Sequence, residues 1–102
     1  MIVVIPAYQP DEKLAALVSE LRQRTDYAIV IVNDGSSEDR LPLFARLEAD
    51  AVVLRHDVNR GKGRALKTAF SYIREHYPES EGVVTVDADG QHLVPDLSLI
   101  HI

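Results

Sequence analysis

An α/β domain built on a parallel sheet is the fold class this sequence predicts, and three observations predict it. Four short apolar, β-branched runs alternate with three segments of helical spacing, in the order βαβαβαβ. Alternation of this kind marks a parallel sheet covered on both faces, with right-handed crossovers. The runs are continuously apolar, as strands buried on both faces are. Each run also ends in a polar cluster, at residues 8–11, 33–37, 57–62 and 87–92. Open sheets of this class bind ligands outside the carboxyl ends of their strands, so four such clusters predict a ligand site at one edge of a Rossmann-like sheet.

Residues 2–5, Ile-Val-Val-Ile, form the first strand, and Pro6 is expected to end it. A loop through Tyr8, Gln9 and Pro10 follows. Leu14, Leu17, Val18 and Leu21 mark one face of a helix from about residue 11 to 24. Residues 28–32 are the second strand, running into Asn33-Asp34-Gly35-Ser36-Ser37. Residues 41–47 are a short helix with Pro42 in its first turn, where a missing N–H costs nothing. Residues 51–54 are the third strand, and 57–63 a polar loop containing glycine. Leu66, Ala69, Phe70 and Ile73 give helical spacing over about 63–76, with Pro78 just beyond. Residues 82–86 are the fourth strand.

The 102 residues suggest one small domain, and a hydrophobic share of 46% is that of a globular protein. A net charge of −5 argues against a nucleic-acid or anionic-membrane surface. It leaves room for a nucleotide, whose phosphates a metal and backbone amides can carry. With no cysteine, thiol catalysis, disulfides and Cys-ligated zinc are excluded, and the absence fits a cytoplasmic location. The apolar start stops at Pro6, too short for a signal peptide or a membrane span.

The most informative segment is Val86-Asp87-Ala88-Asp89-Gly90-Gln91-His92. Side chains two apart on extended backbone point the same way, so Asp87 and Asp89 can share a hard divalent cation with a phosphate. The competing reading is an ordinary Asp-Gly turn at a strand end. Asp34 ends a strand in the same manner. It can accept from a base or ribose, or it can serve an Asx-turn or helix cap. Asn59-Arg60-Gly61-Lys62-Gly63 is neither a Walker A loop nor a dinucleotide fingerprint, since Leu66 stands where the third glycine belongs. What remains is a basic turn entering a helix N-terminus, either an anion site or a solvated loop. The histidines His56, His76, His92 and His101 show no metal-ligand spacing; His76 reads as a solvent-facing helix end, and only His92 adjoins a candidate site. No Gly-x-Ser-x-Gly elbow is present.

With these motifs in place, the chain resembles the N-terminal half of a family 2 inverting glycosyltransferase of the GT-A fold. The pieces that carry the likeness are Ile5-Pro6-Ala7-Tyr8, Val32-Asn33-Asp34-Gly35-Ser36, Asn59-Arg60-Gly61-Lys62-Gly63-Arg64-Ala65-Leu66 and Asp87-Ala88-Asp89-Gly90-Gln91-His92, in the family's order and spacing. They are most similar to the branch containing dolichol-phosphate mannose synthase and bacterial polyprenyl-phosphate glycosyltransferases.

The resemblance implies a nucleotide-diphosphate sugar donor and Mg²⁺ or Mn²⁺ as cofactor. Pro6, Ala7 and Tyr8 would line the base and ribose, Asp34 would hydrogen-bond the base, and Gly61 and Lys62 would lie beside the nucleotide. Asp87 and Asp89 would form the DxD motif, with Asp87 also touching the donor, Asp89 reaching the metal and Gln91 close to it. The acceptor implied is a polyprenyl phosphate or glycan at the cytoplasmic face of a membrane, touched through later parts of the protein. The family usually continues Tyr-Asn-Glu after the first strand, whereas this chain has Tyr8-Gln9-Pro10-Asp11, leaving Asp11 or Glu12 to supply the acidic contact.

The likeness spans residues 1–96, about half of a whole domain, so the acceptor surface and general base are expected beyond residue 102 and the chain alone is expected to be inactive. Residues 97–102, Leu-Ser-Leu-Ile-His-Ile, read either as a non-native tail translated from a sequencing adaptor or as a native helix start. Two further alternatives are weighed. One is a haloacid-dehalogenase-type phosphatase, which also carries Asp-x-Asp-Gly after a strand, though with Thr after the glycine where this chain has Gln91. The other is an inactive nucleotide-binding fragment.

Overall fold

The computed structural model describes residues 1–79 and 82–88. The expected domain limit at residue 96, the tail at 97–102, and Asp89, Gln91 and His92 lie outside them. The described elements run β1 (Ile2–Ala7), α1 (Glu12–Arg24), β2 (Ala28–Asp34), a 3₁₀ turn (Glu38–Arg40), α2 (Leu41–Leu47), β3 (Val52–His56), α3 (Lys62–His76) and β4 (Val83–Thr85). The predicted order βαβαβαβ is the order observed. All pairings are parallel, and the sheet order is β3-β2-β1-β4.

Two apolar layers follow from the period-2 alternation of the strands. Val3, Ile5, Ala7, Ile29, Ile31, Val84 and Val86 face Leu14, Leu17, Val18 and Leu21 of α1 and Leu43, Phe44 and Leu47 of α2. Ile2, Val4, Val30 and Val32 face Ala65, Ala69 and Ile73 of α3. The chain steps outward from β1 to β2 to β3, then returns across the sheet to place β4 on the other side of β1. A right-handed crossover in the reverse direction must use the opposite face, which is why α3 lies across the sheet from α1 and α2. The point where the order reverses lies between β1 and β4. Sheets of this class open a crevice outside the strand ends at such a reversal.

Helix ends obey local chemistry. Asp11 caps α1, its side chain accepting from the Lys13 amide at 2.9 Å. Glu12 pairs with Arg46 of α2 at 2.8 Å, and that hydrogen bond and charge hold the Glu12 carboxyl below the usual glutamate range. Pro42 sits in the first turn of α2.

The expectation that Pro6 ends the first strand needs correction. β1 continues to Ala7, with Pro6 opposite Val32 and Ala7 opposite Asn33 of β2. Even-numbered residues of β1 turn their backbone groups toward β4: the Ile2 N–H donates to the Gly82 carbonyl at 3.1 Å, and the Val4 carbonyl accepts from Val86 at 3.0 Å. The next rung on that side would need a Pro6 N–H, which does not exist. Pro6 therefore stops the β1–β4 ladder and leaves the β1–β2 ladder intact. The strands part just where the crevice begins. β2 and β3 likewise run past their predicted ends, to Asp34 and His56.

Candidate functional site

A cavity of about 150 Å³ opens at this crevice, lined by Pro6, Ala7, Tyr8, Asp34, Asn59, Gly61, Lys62 and Asp87. It gathers residues from all four strand ends, as the polar clusters predicted. A larger space, about 480 Å³, lies at the opposite edge among Met1, Ile2, Ala28, His76, Tyr77, Pro78 and Glu79. Among the described residues its side chains that can carry charge near neutral pH are His76 and Glu79, with no cation facing a carboxylate across its mouth as at the smaller cavity, which we take as the site.

Each wall has a local cause. Tyr8 leaves β1 57% exposed beside the cavity, an aromatic residue open to a ligand. Its loop is tied to the loop after β2. The Gln9 amide donates to Ser36 Oγ at 2.9 Å, and Gln9 Oε1 accepts from the Ser37 amide at 2.6 Å. Gln9 holds φ 51, a left-handed conformation uncommon outside glycine, asparagine and aspartate. The Asx-type turn after β2 belongs to Asn33, whose Oδ1 accepts from the Ser36 amide at 3.0 Å, and not to Asp34.

Asp34 forms the floor. It is 3% exposed, and its oxygens accept from the Arg60 and Gly61 amides at 2.9 Å each and from His56 Nδ1 at 2.8 Å, with Asn59 Nδ2 at 3.3 Å. Burial pushes its carboxyl up, but the hydrogen bonds from His56, Arg60 and Gly61 outweigh burial and leave it below the usual aspartate range. Asp34 is thus an internal anion that receives the amides of the loop at 57–61. The Arg60 and Gly61 amides of this basic turn are therefore engaged within the chain. Gly61 takes φ 94, ψ 159, a region essentially reserved for glycine, and α3 begins at the next residue.

Lys62 and Asp87 face each other across the mouth, Nζ to Oδ1 3.2 Å, with side chains 63% and 45% exposed. An ion pair this wet contributes little to stability, in the range of about 0–1 kcal/mol. Its two charges remain accessible to a ligand. Asp87 is a hard oxygen donor at the cavity and fits one position of a Mg²⁺ or Mn²⁺ shell. No cluster of three potential metal ligands occurs among the described residues, and the other two expected ligands, Asp89 and Gln91, lie outside them. Asp11 and Glu12, the possible acidic contacts, are engaged at the start of α1 and do not line the cavity.

Sequence alone gives His56, Asn59 and Thr68 no individual role. His56 bridges Asp34 and Thr68 Oγ1, the latter at 2.7 Å from Nε2. The signal that would have found it is register: Asp34 and His56 are opposite each other on adjacent strands. His76 is exposed at the end of α3 as predicted, stacked on Tyr72 at 4.1 Å.

Residues 2–100 match the family described as Glycosyl transferase family 2. An uncharacterized protein of Methanocaldococcus jannaschii is 34% identical over 98 residues, which are 96% of this chain and 39% of that protein. A UDP-N-acetylglucosamine–dolichyl-phosphate N-acetylglucosaminyltransferase of Methanococcus voltae is 26% identical over 112 residues, 95% of this chain and 44% of that protein. Among solved structures, S. aureus TarS superposes with a TM-score of 0.69 at 23% identity, over 86% of this chain and 16% of that one. That likeness carries the fold, a GT-A sheet. The chain spans about two fifths of the length of the curated relatives it matches.

Proposed function

We propose that this chain, which belongs to glycosyl transferase family 2, is the donor-binding part of an enzyme that takes a nucleotide-diphosphate sugar and transfers the sugar with inversion. The observation that carries the reading is the cavity at the β1–β4 reversal, with an exposed aromatic, a cation and a carboxylate around it. Tyr8 offers its ring to the base, with Pro6 and Ala7 alongside the base and ribose. Gly61 and Lys62 lie beside the diphosphate, and the Lys62 ammonium balances its charge. Asp34 supports this wall, and a contact from it to the base would replace the long Asn59 bond at 3.3 Å, since three other donors hold its remaining acceptor positions. Asp87, with Asp89 and Gln91, would hold Mg²⁺ or Mn²⁺, which supplies positive charge to the diphosphate as it departs.

In the reaction, an acceptor oxygen attacks the anomeric carbon from the side opposite the diphosphate. The new C–O bond forms as the old one breaks, the configuration inverts, and the electron pair leaves with the nucleoside diphosphate. Any acceptor proton passes to a base within hydrogen-bond reach. We place that base and the acceptor surface in parts of the protein past residue 102, so the chain alone binds donor without transferring sugar. The dolichyl-phosphate acceptor in the Methanococcus voltae relative's name supports a polyprenyl phosphate acceptor at the cytoplasmic face of a membrane. No helix among the described residues is long and apolar enough to cross one. The family match decides against the dehalogenase-type phosphatase.

Titration calorimetry tests the reading. UDP or GDP is expected to bind in Mg²⁺ or Mn²⁺ and to weaken by about tenfold or more in EDTA, the effect of losing a charge-assisted contact. Asp87→Ala should abolish the difference between the two conditions. Equal affinity with Mn²⁺ and with EDTA in the unsubstituted chain would remove the metal from the account.

A further inference from the structure

We infer that His56 is a positioning residue of this site: it holds Asp34 in the orientation that receives the Arg60 and Gly61 amides, and so sets the cavity wall that a nucleoside diphosphate meets. The inference rests on the reading above for the ligand, and on the geometry alone for the clamp.

His56 is the last residue of β3 and Asp34 the last of β2, opposite each other in a parallel ladder. Paired residues of such a ladder project to the same face, here the face covered by α3. The imidazole lies between two partners, Asp34 Oδ1 at 2.8 Å and Thr68 Oγ1 at 2.7 Å. Asp34 stays ionised, since its carboxyl is held below the usual range, and an ionised carboxylate only accepts. Nδ1 therefore carries a proton and donates. Nε2 of the neutral ring then accepts from the Thr68 hydroxyl, which can equally accept from a charged ring. The result is a continuous chain from α3 through β3 to β2 and on to the loop amides.

His56 cannot itself handle a ligand. Both ring nitrogens are engaged, the side chain is 9% exposed, and it does not line the cavity. Its effect must pass through Asp34. The loop at 57–61 has no regular structure, and two of its consecutive amides end on that one carboxylate. Asn59 and Gly61 of this loop line the cavity. A loop fixed before the ligand arrives spares the ligand the entropy of ordering it, which shows as affinity. A histidine that only filled the core would support stability and leave the loop's local order and the ligand's affinity in step with it.

The test compares the chain with His56→Leu, His56→Asn and Thr68→Val. Amide hydrogen exchange is read by NMR at Arg60 and Gly61 against the core amides Val30 and Ile31, and UDP and GDP are titrated. His56→Leu should speed exchange at Arg60 and Gly61 by about tenfold relative to the core, and weaken the nucleotide by a similar factor. His56→Asn, with an amide donor near the place of Nδ1, should restore most of both. Thr68→Val should act in the same direction but more weakly, and it carries the comparison if His56→Leu does not fold. Exchange at Arg60 and Gly61 that merely tracks the core, or a loosened loop with unchanged affinity, would overturn the inference. If the unsubstituted chain binds neither nucleotide, the functional reading fails, while the exchange arm still decides whether the clamp exists.

Discussion

Gly35→Ala should destabilise the chain by about 3 kcal/mol, lowering its melting temperature by roughly 15 °C. Two causes add. Gly35 sits at φ 74, where a side chain costs about 1 kcal/mol or more. A Cβ there would also stand 2.2 Å from the Asn59 nitrogen and from the Val58 carbonyl carbon. Those are backbone atoms, so no rotamer can relieve the contact, and the loop at 57–61 would have to move off β2. Moving it breaks the bonds from Arg60 and Gly61 to Asp34. Gly63→Ala is the contrast: its Cβ meets nothing within 4 Å and its φ is ordinary, so it should be neutral or stabilising by up to about 1 kcal/mol. Thermal unfolding of the two variants checks both. Equal effects would mean that the close approach at Gly35 is not what holds the loop.

Asp34→Asn should cost about 3–5 kcal/mol at neutral pH, because it strips the charge from a buried acceptor whose donors remain. One of the two oxygens becomes an NH₂ group, which must face an amide N–H or the imidazole N–H. The loss should depend on pH with a definite sign. The Asp34 carboxyl is lower in the folded chain than its ordinary value. Its contribution is therefore full above the unfolded value of about 3.9, and is lost as pH falls through the lower folded value. Urea unfolding of both proteins should give a difference that shrinks on acidification below about pH 4. A difference that grows in acid would mean that the carboxyl is not stabilised in its ionised form.

Much of the fold was legible because it is written in apolar pattern. Continuous runs such as Ile2-Val3-Val4-Ile5 and the spacing of Leu14, Leu17, Val18 and Leu21 report burial directly. The strand ends were less legible for the same reason. Asn33, Asp34, Arg55 and His56 are polar, yet they belong to strands, since their backbones continue the ladder between β2 and β3. Pro6 suggests a stop because proline cannot donate; it stops one ladder and not the other, and only the pairing direction tells which.

The lining residues Pro6, Ala7, Tyr8, Gly61, Lys62 and Asp87 stand at strand ends or in the connections just after them, so topology alone could bring them together. The network around Asp34 was another matter. Its partners are 22 to 27 residues away, and His56 carries no local mark that separates it from a solvated histidine. Only register makes it visible. Gln9 departs from the Tyr-Asn-Glu pattern in the sequence, but its work in linking two loops depends on a left-handed backbone that no pattern reveals.

The most direct test of the donor-binding account is to map where a nucleoside diphosphate binds. The chain, labelled with ¹⁵N, is titrated with UDP and with GDP in Mg²⁺ while its amide shifts are followed. One nucleotide should move the amides of Ala7, Tyr8, Asn59, Gly61, Lys62 and Asp87 together, and Lys62→Met should weaken its binding. Amides of Ile2, Ala28 and Tyr77, beside the larger cavity at the opposite edge of the sheet, should stay still. Shifts confined to that opposite edge, or none at all at millimolar nucleotide, would contradict it.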